Sequence, residues 1–411
     1  MSRANTLTAP LRHADFRRLV TGRTFAEFGN AVAPVALAFA VLDVSGSAVD
    51  LGLVVGARSL ANVVLVLFGG VLADRLPRSV ILQGTETAAA ITQAAIAVSV
   101  LGGFASVPLL LGLSMANGAV SAIALPASSS IVPQTVPAVL LQQANALNRM
   151  LSNTGRFVGA AAGGVLVAAF GSGWAIGANA GLFLVAALAY RRLRIARAER
   201  TGRSRPFAEL AEGWQEFRSR TWLWVVVLQF MLVNAAAAGG IFVIGPTVAD
   251  ETFGRAGWGL VLAAETLGWV LGGVVAAHWR PQRALAIGVA FVLCNAIPLA
   301  VLAKAPNVVL LIAVMLLTGC AIEMGAVAWD VSLQENVPAD KLARVYSYDV
   351  LGSIIAVPIG QVAAGPLAER WGREPVLLSG AALIVVATLL ALCSKQVRGL
   401  RRHAPEAAPV S

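Results

Sequence analysis

Residues 69–79 read GGVLADRLPRS, and the fold is decided there. A long apolar run ends on Asp74-Arg75, and another begins at Val80, two residues after Arg78. So short and so charged a gap between apolar runs marks where a chain leaves a membrane, turns through water and re-enters. The glycine pair ahead of the charges lets two helices approach closely.

Outward from this loop the whole chain has the same character. It is 58% hydrophobic and 13% charged over 411 residues, with 40 glycines; a soluble globule carries about 25% charged residues. A span needs about 20 apolar residues. Counting on that basis gives twelve, over residues 19–42, 51–73, 80–102, 107–131, 146–169, 174–190, 222–248, 258–279, 284–303, 308–328, 345–367 and 376–392. Helices are expected because unpaired backbone cannot sit in lipid, and barrel strands would show short alternating segments instead. The basic, then apolar, N-terminus is read as an uncleaved first span, since that run holds Arg23 and Glu27 and exceeds twenty residues.

With the N-terminus placed in the cytoplasm, the tails and even-to-odd loops carry about 23 of the 31 basic residues and the opposite side about four. That asymmetry predicts both termini inside. It also accounts for the net charge of +10 without nucleic acid, for which no binding motif is present.

The loop at residues 69–79 resembles the signature loop between helices 2 and 3 of the major facilitator superfamily of transporters, roughly G-x-L-A-D-R-x-G-R-[RK]. Gly70, Leu72, Ala73, Asp74, Arg75 and Arg78 match it; Pro77 replaces the second glycine and Ser79 the last basic residue. The resemblance implies an all-α membrane protein of twelve transmembrane helices in two six-helix pseudo-symmetric lobes. The expected organisation is a tail at 1–18, a lobe at 19–190, a linker at 191–221, a lobe at 222–394 and a tail at 395–411, in the cell's inner (plasma) membrane and monomeric.

An internal repeat agrees with two lobes. Val136-Pro-Ala recurs as Val337-Pro-Ala; at the same offset Gly159 falls on Gly360, Gly164 on Gly365, and Phe170-Gly171 on Trp371-Gly372. Gly69-Gly-Val recurs as Gly272-Gly-Val. Parallel repeats about an axis along the membrane normal are a known transporter plan. In the polar linker, Phe207, Leu210, Ala211, Trp214 and Phe217 have helical spacing, which predicts either a helix on the inner membrane surface or a simple tether.

The resemblance also implies functional residues. Gly70, Asp74, Arg75 and Arg78 are expected to form a gate, with Asp74 meeting the N-terminal end of helix 11 near residues 346–349 only when the inner ends of the lobes touch. Gly155, Gly159, Gly163 and Gly164 resemble the exporters' antiporter motif, G-x-x-x-G-P-x-x-G-G, with Ala160 in place of proline. The same glycines could equally be general small-residue packing against helix 8.

Charges within spans are costly and commonly functional. Glu27, Glu265 and Glu323 are the candidate proton carriers. Arg23 and Glu27, four residues apart, share a face of helix 1. Arg156 and Glu265 count to similar depth at 1.5 Å per residue on helices expected to adjoin, which predicts an Arg156–Glu265 ion pair. Arg23, Asn30, Arg58, Asn117 and Asn234 are candidate cavity-lining groups, whereas Glu86, near the inner surface of a peripheral helix, reads as structural.

No metal or cofactor is expected. Cys294, Cys320 and Cys393 lie in apolar runs, and His13, His278 and His403 are scattered. Without a nucleotide-binding loop or a nucleophile elbow, neither ATP-driven transport within this chain nor an enzyme is expected. The reading is proton-coupled antiport of a small, largely hydrophobic compound (a drug, siderophore or secondary metabolite), most like the drug, macrolide and enterobactin efflux branch. The alternatives are a proton-symport importer of a small nutrient and a non-transporting membrane receptor or assembly partner.

Overall fold

The computed structural model describes residues 8–73, 77–128, 131–193, 214–279 and 281–401. Among these the chain forms twelve long helical segments. The first six are α1 (Ala14–Ser45), α2 (Ala48–Ala73), α3 (Arg78–Leu101), α4 (Val107–Ser128), α5 (Leu141–Phe170) and α6 (Ser172–Tyr190). The second six are α7 (Thr221–Glu251), α8 (Gly254–His278), α9 (Ala284–Lys304), α10 (Val308–Asn336), α11 (Ala339–Ile354 and Val357–Trp371) and α12 (Arg373–Cys393).

Eleven of the described helices are long and apolar enough to cross a membrane. The exception among the expected spans is α5, a 30-residue helix that carries Arg149 and Arg156. Arg156 is committed to Glu27 of α1, so the composition of α5 understates how closely it is packed. Other boundaries also move. Helix α10 runs on to Asn336. Helix α11 breaks around Ile355 and Ala356, and α7 holds a π-turn over Gly240–Ile244. Such local changes of winding re-aim side chains within otherwise continuous apolar runs, so hydropathy does not register them.

The turns are built by local chemistry. The Gly46 N–H closes α1 on the Leu42 carbonyl with φ +66°, and the Ser47 hydroxyl then accepts from the N–H groups of Val49 and Asp50 to start α2. Gly171 between α5 and α6 has φ +85°, and Gly372 between α11 and α12 has φ +88°. These two positions are related by the sequence repeat, and both require the left-handed region that glycine adopts without strain.

Packing separates the halves. Within the first, α1 lies against α5 and α6, α2 against α4, and α3 against α4 and α6. In the second, α8 lies against α10, α9 against α10 and α12, and α7 against α11 and α12. Two main seams join them, α5 on α8 and α2 on the second piece of α11. The described end of the linker, residues 214–219, is helical and docks on protein: Phe217 is buried, and its ring and that of Trp214 pack on Tyr348 of α11. The expected surface helix otherwise falls on residues outside the described set.

Candidate functional site

The repeated glycines set the seams. A side chain on Gly159 would strike the α1 backbone at Phe28, and one on Gly360 the α7 backbone at Ala235. A Cβ on Gly164 would lie 2.7 Å from the Gly259 Cα on α8, and one on Gly365 would lie 2.5 Å from the Val49 Cα on α2. Each repeated glycine therefore does the same task in its own half: one contact within the half, one across to the other. Of the antiporter-like set, Gly155, Gly159 and Gly163 face α1, and only Gly164 meets α8. The packing expected on helix 8 is thus mostly packing on α1, because backbone contact with α1 runs along most of that glycine face.

Both seams are tightest at one end of the molecule, where the α1–α2, α5–α6, α7–α8 and α11–α12 turns gather. There Arg255, at the start of α8, pairs with Asp43 of α1 at 2.7 Å and with Asp250 of α7 at 2.7 Å. Its guanidinium lies 4.9 Å from the centre of the buried Phe39 ring. Asp43 also accepts from the Ser172 hydroxyl of α6 at 2.6 Å. Three helices from both halves thus meet on one arginine, whose planar fork can serve two carboxylates at once, and α6 joins them through Asp43. Nearby, Arg373 of α12 holds Glu251 of α7. Sequence reasoning missed this cluster; the usable signal was that one of the few basic residues on that side, Arg255, lies five residues after Asp250.

Among the described residues, several polar contacts at the other end fall within one half or its linker. Arg18 donates to the Arg192 carbonyl; Arg220 and Lys341 both hold Glu216; Trp329 donates to Asp349 at 2.9 Å; and Tyr346 donates to Asp330 at 3.0 Å. Asp74 and Arg75 lie outside the described residues. Gly70 is within α2, and Arg78 opens α3.

Between the ends lie the intramembrane charges. Arg156 grips Glu27 with two bonds, Nε to Oε2 at 2.7 Å and Nη2 to Oε1 at 3.0 Å. The expected Arg156–Glu265 pair is not formed in this conformation: α5 packs along α1, which places Glu27 within reach of the guanidinium. Glu265 lies on the α8–α10 contact, where Gly319 rides over its backbone, and it forms no hydrogen bond or ion pair among the described residues. Glu323 of α10 packs on the Gly272-Gly273 pair and lies within electrostatic range of Arg149 and Arg156. Glu27, Arg156 and Glu323 therefore form a charged group that spans α1, α5 and α10, and so both halves.

A cavity of about 300 Å³ sits inside the first six helices. Arg23, Glu27 and Asn30 of α1 line it with Arg58 of α2, Glu86 of α3 and Tyr190 of α6. A second cavity of about 290 Å³ lies between α2, α4 and α11, and Arg58, Asn62 and Ser121 line both. Of the expected lining groups, Arg23, Asn30 and Arg58 reach the first cavity. Asn117 is buried behind it, accepting from Arg58 Nε at 3.2 Å and donating to Thr92 at 3.2 Å. Asn234 donates to the Ser353 carbonyl and so joins α7 to α11. The sequence reading set Glu86 aside as structural, since helix 3 was expected at the periphery; the structure turns it inward. Among the described residues no cluster of His, Cys, Asp and Glu could hold a metal ion.

The sequence matches the transmembrane secretion effector family over residues 5–406. The chain belongs to that family, within the major facilitator superfamily. It is 26% identical over 399 residues to the multidrug efflux pump Tap of Mycolicibacterium fortuitum, covering 91% of this chain and 93% of that one. Its fold is like that of the nucleoside transporter NupG, with a TM-score of 0.76 at 14% identity, covering 92% of this chain and 98% of that one. It is also like a bacterial homologue of the lysosomal transporter Spinster in an inward-facing, unoccupied conformation, with a TM-score of 0.70 at 15% identity and coverage of 95% and 98%. The chain thus belongs to a transporter family rather than an enzyme family, and is a multi-pass protein of the inner membrane that moves small molecules.

Proposed function

We propose that this chain is a proton-coupled exporter of a small, largely hydrophobic compound, of the drug-efflux branch. It works by alternating access between two six-helix lobes, with twelve spans and both termini in the cytoplasm. On that topology the Arg255 end faces outward, and the conformation described is closed outside and open inside.

The observation that carries the reading is the placement of the ionisable groups. Glu27, Arg156 and Glu323 lie between the halves, and Arg255 clasps one end only. A proton arriving at one of these carboxylates changes the charge balance between the halves, and so the preferred lobe arrangement. Glu27, Glu265 and Glu323 remain the coupling carboxylates of the proposal. Asp74, Arg75 and Arg78 form the inner latch that takes over when the outer clasp opens. The likeness to a multidrug efflux pump over nearly the full chain supports the outward direction.

Inside-out vesicles test it. Imposing a pH gradient, acid inside, should drive accumulation of a hydrophobic dye such as Hoechst 33342, and collapsing the gradient should stop it. Dye movement independent of the gradient contradicts coupling, and uptake in right-side-out vesicles instead identifies an importer.

A further inference from the structure

The cavity inside the first half holds a group that the proposed cycle leaves unused. Four charged side chains reach its wall. Glu27 is held by Arg156, Arg58 is bonded to Asn117, and Arg23 has a partner of its own. Glu86 is 9% exposed and makes no hydrogen bond or ion pair among the described residues. The groups that face it from packed helices are Arg23 and Glu27 of α1, Arg58 of α2 and Tyr190 of α6; α4 contributes Ser121 and Val120 but no charge. Of these, Glu27 acts on it with like sign. An ionised carboxylate so enclosed is too costly to stand alone, so it must hold a proton or meet a cationic donor.

We propose that Glu86 anchors a subsite for the protonated amine of a small amphiphilic cation, and that its carboxyl carries a proton whenever the amine is absent. A metal ion would need several oxygen ligands, whereas this wall offers one free carboxylate. An ammonium needs only one strong acceptor, with weaker oxygens such as Ser121 and Asn62 nearby. Arg23 and Arg58 on the same wall repel a second positive charge, which limits the ligand to a monoamine. The apolar body fits the remaining wall, Leu82, Ala89, Val120 and Phe183, and extends past Arg58 and Asn62 into the second cavity. The exchange balances: R-NH3+ and the Glu86 carboxylic acid give the ammonium–carboxylate pair and one released proton. This names the cargo class of the proposed exporter and rests on that reading.

Full-length protein in lipid nanodiscs, with no gradient, measures binding apart from transport: failure here leaves the vesicle result standing, and failure there removes the cargo reading but not the binding result. The probes are tryptamine and tryptophol, which differ by an amine in place of a hydroxyl. Equilibrium dialysis should show tryptamine binding at least about tenfold tighter, the effect of one charge-assisted hydrogen bond. A pH indicator in weak buffer should report one proton released for each amine bound. Glu86→Gln should lose both the preference and the release, and Glu86→Asp should keep the release with weaker binding. A measurement on the unaltered chain guards against misfolded variants: dicyclohexylcarbodiimide should label Glu86, and tryptamine but not tryptophol should protect it. Equal affinity for the two probes, an amine preference that survives Glu86→Gln, or labelling that tryptamine leaves unchanged would each overturn the assignment.

Discussion

The two ends of the molecule are built on different principles. At the α1–α2 end the halves are joined to each other, by Arg255 on Asp43 and Asp250 and by glycine-lined backbone contacts at Gly164 and Gly365. At the opposite end the described residues include ties within the linker and the second half: Glu216 holds Arg220 and Lys341, and Trp329 holds Asp349. Short-range charge and close backbone packing are either made or broken, with little between. Halves joined this way are suited to switching between two arrangements, because closely packed interfaces are bistable rather than continuously deformable.

The largest effect is expected from breaking the joined end sterically. Gly164→Leu has no room against Gly259 and should cost the closed arrangement up to about 3 kcal/mol, lowering vesicle transport by roughly a hundredfold. Gly181→Leu, where an added side chain meets open space, should leave transport unchanged. Next in size is the ionic part. Arg255→Gln should cost about 2 kcal/mol, seen as a roughly thirtyfold shift toward the open clasped end. Asp43→Asn combined with it should cost little more than Arg255→Gln alone, since the Asp43 pair is already lost in that variant.

How much of this was legible in the sequence follows from what each feature depends on. The spans and the repeat could be read because apolar runs and glycine positions are local. Gly171 and Gly372 share a backbone conformation that the offset alone foretold. Ion pairing could not be read in the same way. Arg156 and Glu265 count to similar depth, yet depth fixes one coordinate, and rotation about the helix decides that Arg156 meets Glu27. The inward placement of Glu86 was not legible for the same reason: a peripheral helix still has an inner face. The Arg255 clasp was half legible: Asp250 lies five residues away, but Asp43 is far off in the chain and its spacing carries no signal of the meeting.

Smaller effects sharpen the comparison. Glu27→Gln should lower stability by about 1 kcal/mol, modest because Arg156 is 39% exposed and the pair is partly screened; thermal unfolding in detergent measures it. The smallest belongs to the opposite end. Lys341 first, and then Arg220, hold the Glu216 carboxyl below the usual carboxylate range. A lowered carboxylate stabilises the fold above its unfolded value, about 4.3, and loses that contribution as pH falls through its lower folded value. Melting temperatures between pH 7 and pH 3 should therefore show a small acid-side loss that Glu216→Gln removes.

The central claim is that the two ends alternate. Spin labels on Phe104 and Ala305 report across the clasped end, and labels on Val80 and Gln282 across the other. Pulsed dipolar distances should show that Asp43→Asn lengthens the first and shortens the second. Distances that lengthen together, or that do not respond to loss of the clasp, would contradict it.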